Sequence, residues 1–456
     1  MNDEIISPLK GDVFFVSLGC DKNLVDSETM LGLLRDAGYG IVSDEALAQV
    51  VVINTCSFIL DAQDESVQTI LEMAQLKVEG RLKALIVTGC LSQRFKEDIL
   101  KEIPEVDAVL GTASYYRIAE VADRILQGET GIEIMDDLSV LPQTTSNRIL
   151  TTGAFSSYLK IAEGCDKHCT YCIIPSLRGH YRSYPVEYLI RQASYLAGQG
   201  VKELNLVAQE TTVYGQDLYG HKALPELLSR LCEIEGIEWI RILYCYPEEI
   251  TPELVAVIKE QPKICHYLDL PIQHCSDRVL KRMGRRTDEA QIRSIVAYLR
   301  EEIPDIALRT TLIAGFPGET EEDHQRMRQF ITELRFDRLG CFAYSREDGT
   351  PAAIMEDQIE EALKEERRDA LMLIQQEIAF EKAREMEGRE VEVLIEGYLP
   401  EDRVYIGRTY KDAPDVDGYV FVYASAQLMS GDIVSVMITD AKEYDLIGVM
   451  KDESAE

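Results

Sequence analysis

Three short apolar runs rich in Val, Ile and Phe, at 13–17, 50–54 and 84–88, alternate with helix-period patterns at 26–36, 64–76 and 93–102. Such unbroken runs read as strands buried on both faces, and their alternation with helices predicts a parallel, doubly wound sheet. A polar stretch from 127 to 152, containing Gly-Glu-Thr-Gly and Pro-Gln-Thr-Thr-Ser-Asn, reads as a linker. A second alternation runs from Tyr158 to Tyr344, with strands expected at 158–162, 203–208, 239–244, 267–270, 307–313 and 339–344. Six such units fall short of a complete eight-unit barrel and fit a partial, six-stranded one. Residues 359–386 carry a charged amphipathic helix pattern. Beyond Gly388 the period turns to two, over 391–395, 404–409, 419–423, 433–438 and 445–449, which predicts a small β-barrel. The expected class is α/β. Its domains are a doubly wound sheet at 1–126, a linker at 127–150, a partial (β/α)6 barrel at 151–383 and a small β-barrel at 384–456.

Composition sharpens this picture in two places. Forty-seven Lys and Arg stand against 80 Asp and Glu, a net charge of −33 over 456 residues, which argues against non-specific binding of nucleic acid. The cysteine count is 11, an odd number that favours a reducing, cytoplasmic setting over a disulfide framework. No apolar run reaches the ~18 residues needed to span a bilayer. Residues 1–12 are mixed and polar, without the basic-then-apolar order of a secretory leader.

The densest chemistry lies at Glu163-Gly-Cys165-Asp-Lys-His-Cys169-Thr-Tyr-Cys172, three thiols at C-x3-C-x2-C spacing directly after the first barrel strand. In a parallel barrel that carboxyl edge is where active sites form. Two readings are open on spacing alone. One is an iron–sulfur cluster with three protein ligands and an open iron; the other is a zinc loop completed by a distant ligand such as His168 or His180. Polar or glycine-bearing groups end other barrel strands: Gln209 and Glu210, Gln273 and His274, and the turn Gly315-Phe-Pro317-Gly318-Glu319, where glycine lets backbone approach a ligand. Each is also an ordinary turn or cap residue. In the first domain, Cys20, Cys56 and Cys90 each close an expected strand. One such cysteine would be a small buried hydrophobe. Three at equivalent edges of an open α/β sheet border one crevice, and suggest a second iron–sulfur site.

The Cys165 loop resembles the radical S-adenosylmethionine (SAM) superfamily. That resemblance implies a 4Fe–4S cluster on Cys165, Cys169 and Cys172. SAM would chelate its open iron and be split by one electron to a 5′-deoxyadenosyl radical, with Tyr171 near the adenine. Gly315, Pro317, Gly318 and Glu319 are similar to the superfamily's SAM-contacting strand, with Gln209 and Gln273 on the same rim. The segments Gly19-Cys-Asp-Lys-Asn-Leu-Val-Asp-Ser-Glu28, Asn54-Thr-Cys56-Ser-Phe-Ile59, Thr88-Gly-Cys90-Leu-Ser-Gln93, Ile174-Pro-Ser-Leu-Arg178-Gly179 and Leu270-Pro-Ile-Gln-His274 are similar to the methylthiotransferase family. The C-terminal β-domain resembles a TRAM domain. This resemblance implies a second 4Fe–4S cluster, on Cys20, Cys56 and Cys90, whose open iron holds the sulfur to be inserted, and a second SAM that supplies the methyl. Cys232, Cys245, Cys265, Cys275 and Cys341 fall on no family ligand position and read as core thiols, Cys275 being the nearest to the expected site.

Members of the family act on one of two acceptors. One is a tRNA adenosine beside the anticodon; the other is the β-carbon of an aspartate on small-subunit ribosomal protein number twelve. Residues 384–456 carry 7 Lys and Arg against 17 Asp and Glu, a net −10. A tRNA-binding face would be positive, and a negative one suits a basic ribosomal protein, free or within the ribosome. The stretches Cys165-Asp-Lys-His-Cys169 and Arg178-Gly-His-Tyr-Arg-Ser183 also look closer to the protein-modifying branch, and tRNA remains the alternative acceptor. The basic run Arg278, Lys281, Arg282, Arg285 and Arg286 reads as a solvated helix face. An electron donor of the flavodoxin type is expected, and no membrane. The rival outside enzymology is a zinc-bound scaffold whose β-barrel recruits RNA or protein.

Overall fold

The computed structural model describes residues 10–145 and 147–451. Most of the polar N-terminal stretch, residue 146 of the expected linker and the last five residues of the C-terminal domain lie outside the described residues. Two compact units emerge: Met1–Thr151 with Glu163–His168 and Cys172–Arg182, and Thr152–Ala162 with Cys169–Tyr171 and Ser183–Glu456.

The first unit holds a six-stranded sheet in the order β2-β1-β3-β4-β5-β6. Its strands are β1 (Asp12–Ser17), β2 (Gly40–Ile41), β3 (Val50–Thr55), β4 (Ala84–Gly89), β5 (Ala108–Leu110) and β6 (Ile132–Ile134). All pairings are parallel. Alternation along each strand sorts its side chains onto two faces. Val50, Val52, Ala84 and Ile86 pack with Leu34, Ile118, Val121 and Ile125 on one side. Val51, Ile53, Leu85 and Val87 pack with Ile70, Met73, Leu91 and Ile99 on the other. The first side is covered by α1 (Asp21–Asp36) and α4 (Ile118–Leu126), the second by α2 (Leu60–Val78) and α3 (Cys90–Glu102). The expected doubly wound sheet is therefore the observed one.

The expected linker needs a correction, because its residues Ile132–Ile134 form β6 and pair in parallel with β5. The segment alternates buried, exposed, buried. Only two apolar residues mark it, too few to stand out in a polar stretch.

In the second unit six parallel strands run consecutively, β14-β13-β12-β11-β10-β7. They are β7 (Ser156–Lys160), β10 (Glu203–Val207), β11 (Trp239–Ile242), β12 (Ile264–Asp269), β13 (Ala307–Ala314) and β14 (Arg338–Ala343). The end strands β7 and β14 do not pair, so the barrel is open, as six units require. Two-residue strands β8 (Ala162–Glu163) and β9 (Arg182–Ser183) bracket the cysteine-bearing segment. A long helix, Glu361–Arg384, follows, its last turn contributing Ala383 to the core of a closed barrel. That barrel is β15 (Glu390–Leu399), β16 (Val404–Arg408), β17 (Val420–Tyr423), β18 (Ile433–Lys442) and β19 (Asp445–Met450).

A buried ion network ties the small barrel to the amino-terminal end of β10. Arg408 Nη2 lies 2.6 Å from Glu203 Oε2 and Arg241 Nη2 lies 2.9 Å from Glu203 Oε1, all three side chains fully buried. Burial alone would raise the Glu203 carboxyl, but Arg408 and Arg241 outweigh it and hold it at about 2. Glu203→Gln would leave two buried guanidiniums undercompensated, and should lower the unfolding free energy by about 3–5 kcal/mol in chemical denaturation. A depressed carboxyl contributes stability that is complete above its unfolded value of 4.5 and fades as pH falls toward about 2. The wild-type protein should lose stability across that acid window more steeply than the Gln variant; parallel acid curves would contradict the assignment.

Candidate functional site

Register places the first three thiols. Ser17 pairs with Asn54, and Thr55 pairs with Gly89, so β1, β3 and β4 end side by side. Cys20 caps α1 in extended backbone, Cys56 follows β3, and Cys90 opens α3. Two glycines make the approach possible. Gly19 has φ +91°, and a Cβ there would stand 2.9 Å from Cys56 Cβ. Gly89 has φ +96°, and its Cβ would stand 2.4 Å from Asn54 Oδ1 and 2.5 Å from the Thr55 carbonyl oxygen. Cys56 and Cys90 are buried and Cys20 is exposed.

Asn23, fully buried in the first turn of α1, touches all three segments. Its Nδ2 donates to the carbonyls of Leu18 (3.1 Å) and Thr55 (3.0 Å), and its Oδ1 stands 4.0 Å from Cys90 Sγ. Arg178 donates to the same Oδ1 through Nη2 and to Asp26 through Nη1 at 2.9 Å. Burial pushes the Cys90 thiol up to about 11 against the pull of Arg178, with the charges of Cys20 and Cys56 adding to the rise. Burial also raises Cys56, opposed by the Phe58 amide. These thiols lie within one another's electrostatic field, and a metal would have to displace their protons to bind. Among the described residues no three His, Cys, Asp or Glu side chains stand close enough to hold a single metal ion. A four-iron cube binds each thiolate through a different iron.

For the second set, Cys165 and Cys172 belong to the first compact unit and Cys169 to the second. The Cys165 amide donates to the Gly179 carbonyl at 3.1 Å. Gly164, at φ +78°, turns the chain where a Cβ would meet the His180 carbonyl oxygen at 2.0 Å. Cys90 packs with Ile173 and Leu177, so it neighbours the residue after Cys172. Cys169 Sγ is 3.7 Å from Tyr246 Oη, and the buried Arg285 guanidinium lies 4.2 Å from that tyrosine's ring centroid. Thr170 is pinned by its amide to the Met283 carbonyl (2.9 Å) and by its hydroxyl to the Arg282 carbonyl (2.8 Å). Tyr171 meets Phe316 edge-on, with 6.5 Å between ring centroids.

The rim residues divide. Gln209 Oε1 is buried without a hydrogen-bond partner among the described residues. Gln273 is held at φ 71°, its amide donating to Thr311 and its carbonyl accepting from Ile313, both at 2.8 Å. Glu319 turns inward. Its Oε2 accepts from the Gly315 amide at 2.8 Å and faces His274 Nε2 at 3.5 Å, while Oε1 accepts from Arg367 at 3.0 Å. It thus braces the Gly315–Gly318 turn from within.

The basic run is a solvated face only in part. Arg278, Lys281 and Arg286 are exposed, while Arg282 is half-buried and Arg285 buried; Arg278 donates to the Gly318 carbonyl at 2.8 Å and Arg282 to the Pro317 carbonyl at 3.1 Å. Its spacing looked like a surface stripe because the carbonyls it serves lie more than thirty residues away. Cys275 is fully buried and feels Glu289, Arg326 and Arg293. Asn23, Glu163 and Arg178 were missed as site-building residues. The signal was their position inside the quoted cysteine motifs.

Three family models match: the uncharacterized protein family UPF0004 over residues 12–111, the radical SAM superfamily over 159–331, and the TRAM domain over 388–450. A protein of Lachnoclostridium phytofermentans, named ribosomal protein uS12 methylthiotransferase RimO, is 62% identical over 96% of this chain and 99% of its own length. Proteins of the same name from Geobacter sulfurreducens and Clostridioides difficile are 50% and 49% identical, over 97% and 95% of this chain and 99% and 97% of their own lengths. Among solved structures, the radical SAM methyltransferase TsrM of Kitasatospora setae, with tryptophan and a SAM analogue bound, shares the fold. Its TM-score is 0.57 at 13% identity, over 75% of each chain.

The glycine geometry is directly testable. Gly89→Ala adds a Cβ into Asn54 and the Thr55 backbone at a left-handed position, and should cost about 1–3 kcal/mol from backbone strain alone. It should also reduce the iron retained after anaerobic reconstitution. Gly38→Ala, at φ +93° but with open space around its Cβ, should leave iron content unchanged.

Proposed function

The chain belongs to the RimO family of ribosomal protein uS12 methylthiotransferases, and we propose that it runs on two 4Fe–4S clusters, one on Cys165, Cys169 and Cys172 and one on Cys20, Cys56 and Cys90. It is a radical SAM enzyme that transfers a methylthio group. A 4Fe–4S cluster and SAM come with that superfamily. The second cluster rests on one observation above all: Asn23 hydrogen-bonds the chain just before Cys20 and just before Cys56, and faces the Cys90 sulfur.

When bound, these groups supply a radical strong enough to take an unactivated hydrogen, and a methylated sulfur to replace it. The rest falls to the chain. Three thiols in each set bind and leave one iron for a non-protein ligand. Thr170, fastened to Arg282 and Met283, fixes the loop around Cys169. Tyr171, Gln209, Gln273 and the Gly315-Phe-Pro317-Gly318 turn, at the strand ends, would hold SAM. Glu319, assigned to SAM contact from its motif, serves that turn through the Gly315 amide instead. Cys90 packs on Ile173, the residue after Cys172.

The substrate is ribosomal protein uS12, and the carbon attacked is the β-carbon of an aspartate. The C-terminal barrel region, at net −10, favours that basic protein over the tRNA alternative. Residues 1–126 act as the sulfur-donor domain, 151–383 as the radical core and 384–456 as the substrate-binding domain. Work on a ribosomal protein sets the enzyme in the cytoplasm, with a flavodoxin-type protein as electron donor. No helix among the described residues is long and apolar enough to cross a membrane.

Anaerobic reconstitution should load about eight irons per chain, four per cluster. Replacing Cys20, Cys56 and Cys90 together by Ala should halve that number and leave SAM cleavage intact. Cys165→Ala should abolish 5′-deoxyadenosine formation, and reductive SAM cleavage persisting in that variant would sink the reading. Mass spectrometry after incubation with uS12 and, separately, with tRNA should find the added methylthio mass on the protein alone.

A further inference from the structure

Arg178 is 3% exposed and carries a full charge. Burying a guanidinium is costly unless its partners repay it. Its Nη1 lies 2.9 Å from Asp26 and 3.3 Å from Glu163, and its Nη2 donates to Asn23. The Asn23 oxygen it engages is the one 4.0 Å from Cys90 Sγ. The preceding residue, Leu177, packs on Cys90 and its carbonyl accepts from Thr112 Oγ1 at 2.6 Å, which fixes the helix Ile174–Arg178 against the first sheet. The field of this guanidinium reaches Cys90, Cys20 and Cys56. A cation so placed is one hydrogen bond away from the residue that organises all three thiols.

We propose that Arg178, aimed by Asn23, is a positioning residue that raises the reduction potential of the Cys20/Cys56/Cys90 cluster, with Asp26 setting how much of its charge that cluster feels. This rests on the two-cluster reading. Reduction adds one electron to the cluster, taken from the electron donor, and no bond is made or broken. A fixed positive charge in a low-dielectric site favours the form that carries the extra electron, and neighbouring charge is one of the levers that set cluster potentials. The two carboxylates on Nη1 oppose it. Removing one releases more of the positive field, and removing the guanidinium leaves only the negative one.

The two substitutions therefore have opposite signs. In the full chain with both clusters loaded, redox titration followed by electron paramagnetic resonance would track the cluster signal that SAM addition leaves unmoved. Arg178→Gln should shift that midpoint to more negative potential, Asp26→Asn should shift it to more positive potential, and Arg178→Lys should restore most of the wild-type value. Iron per chain should be unchanged throughout. Full iron with an unmoved midpoint in both neutral variants would overturn the proposal. If Arg178→Gln fails to fold, Asp26→Asn decides alone, since Asn keeps an acceptor for Nη1. A Cys20/Cys56/Cys90→Ala variant that keeps all its iron would instead remove the cluster itself, overturning the reading beneath the proposal and the proposal with it.

Discussion

Parallel pairing in register is the constraint on which the candidate site depends. Residues 20, 56 and 90 are distant in sequence, and no local motif could gather them. They meet because β1, β3 and β4 are adjacent, run the same way and stop at the same level. The observed pairing fixes that level: Ser17 stands opposite Asn54 and Thr55 opposite Gly89. The chemistry is thus written into the same pattern that folds the domain. The glycines at 19 and 89 add local permission, allowing backbone conformations and contacts that a Cβ would forbid.

At three places buried charge joins segments distant in sequence. Arg178 joins the stretch after Cys172 to the helix after Cys20. Arg285 lies over Tyr246 beside Cys169, its charge favoured by Tyr171, Tyr246 and Cys169 against the cost of burial. Glu203 holds Arg241 and Arg408 at the far, amino-terminal end of the open barrel. Apolar residues of similar volume could hold such joints as firmly. What they could not supply is a fixed charge, and at two of the three sites that charge stands beside candidate cluster ligands.

Periodicity and spacing made most of the architecture legible. Strand ends, the cysteine loop and the glycine turn at 315 are all local signals. What escaped was either too short or too distant. Strand β6 has only two apolar residues, and β2 has two residues in all. Arg278 and Arg282 look like a charged stripe until the carbonyls of Gly318 and Pro317 are found beneath them. Glu319 looked like a rim ligand because its motif ends on the rim. Its carboxylate points instead toward His274 and Arg367, which no pattern along the chain connects. The His274 ring shows the same economy. Its Nδ1 accepts the amides of Cys275 and Ser276, and its Nε2 lies 3.5 Å from Glu319 Oε2.

The acidity of the C-terminal domain carries more weight once its ions are placed. Arg408 is one of only seven basic residues there, and it is fully buried between Glu203 and Glu396, so it adds nothing positive to the surface. Lys451 is paired with Glu390. Several of the acidic residues have inward partners too: Asp412 is bound by Arg338, and Asp417 lies 3.6 Å from Arg309. Many others remain outside, among them Glu392, Glu401, Asp402, Asp440 and Glu443, all exposed. Two exposed tyrosines, Tyr398 and Tyr423, interrupt the negative charge with large flat surfaces. A phosphate backbone would meet repulsion from so acidic a surface, whereas a basic protein segment would meet attraction. The buried ion network of Glu203, Arg241 and Arg408 pins this barrel to β10, so its acidic side chains are carried on a body joined to the core strands by buried charge and not on a loose appendage.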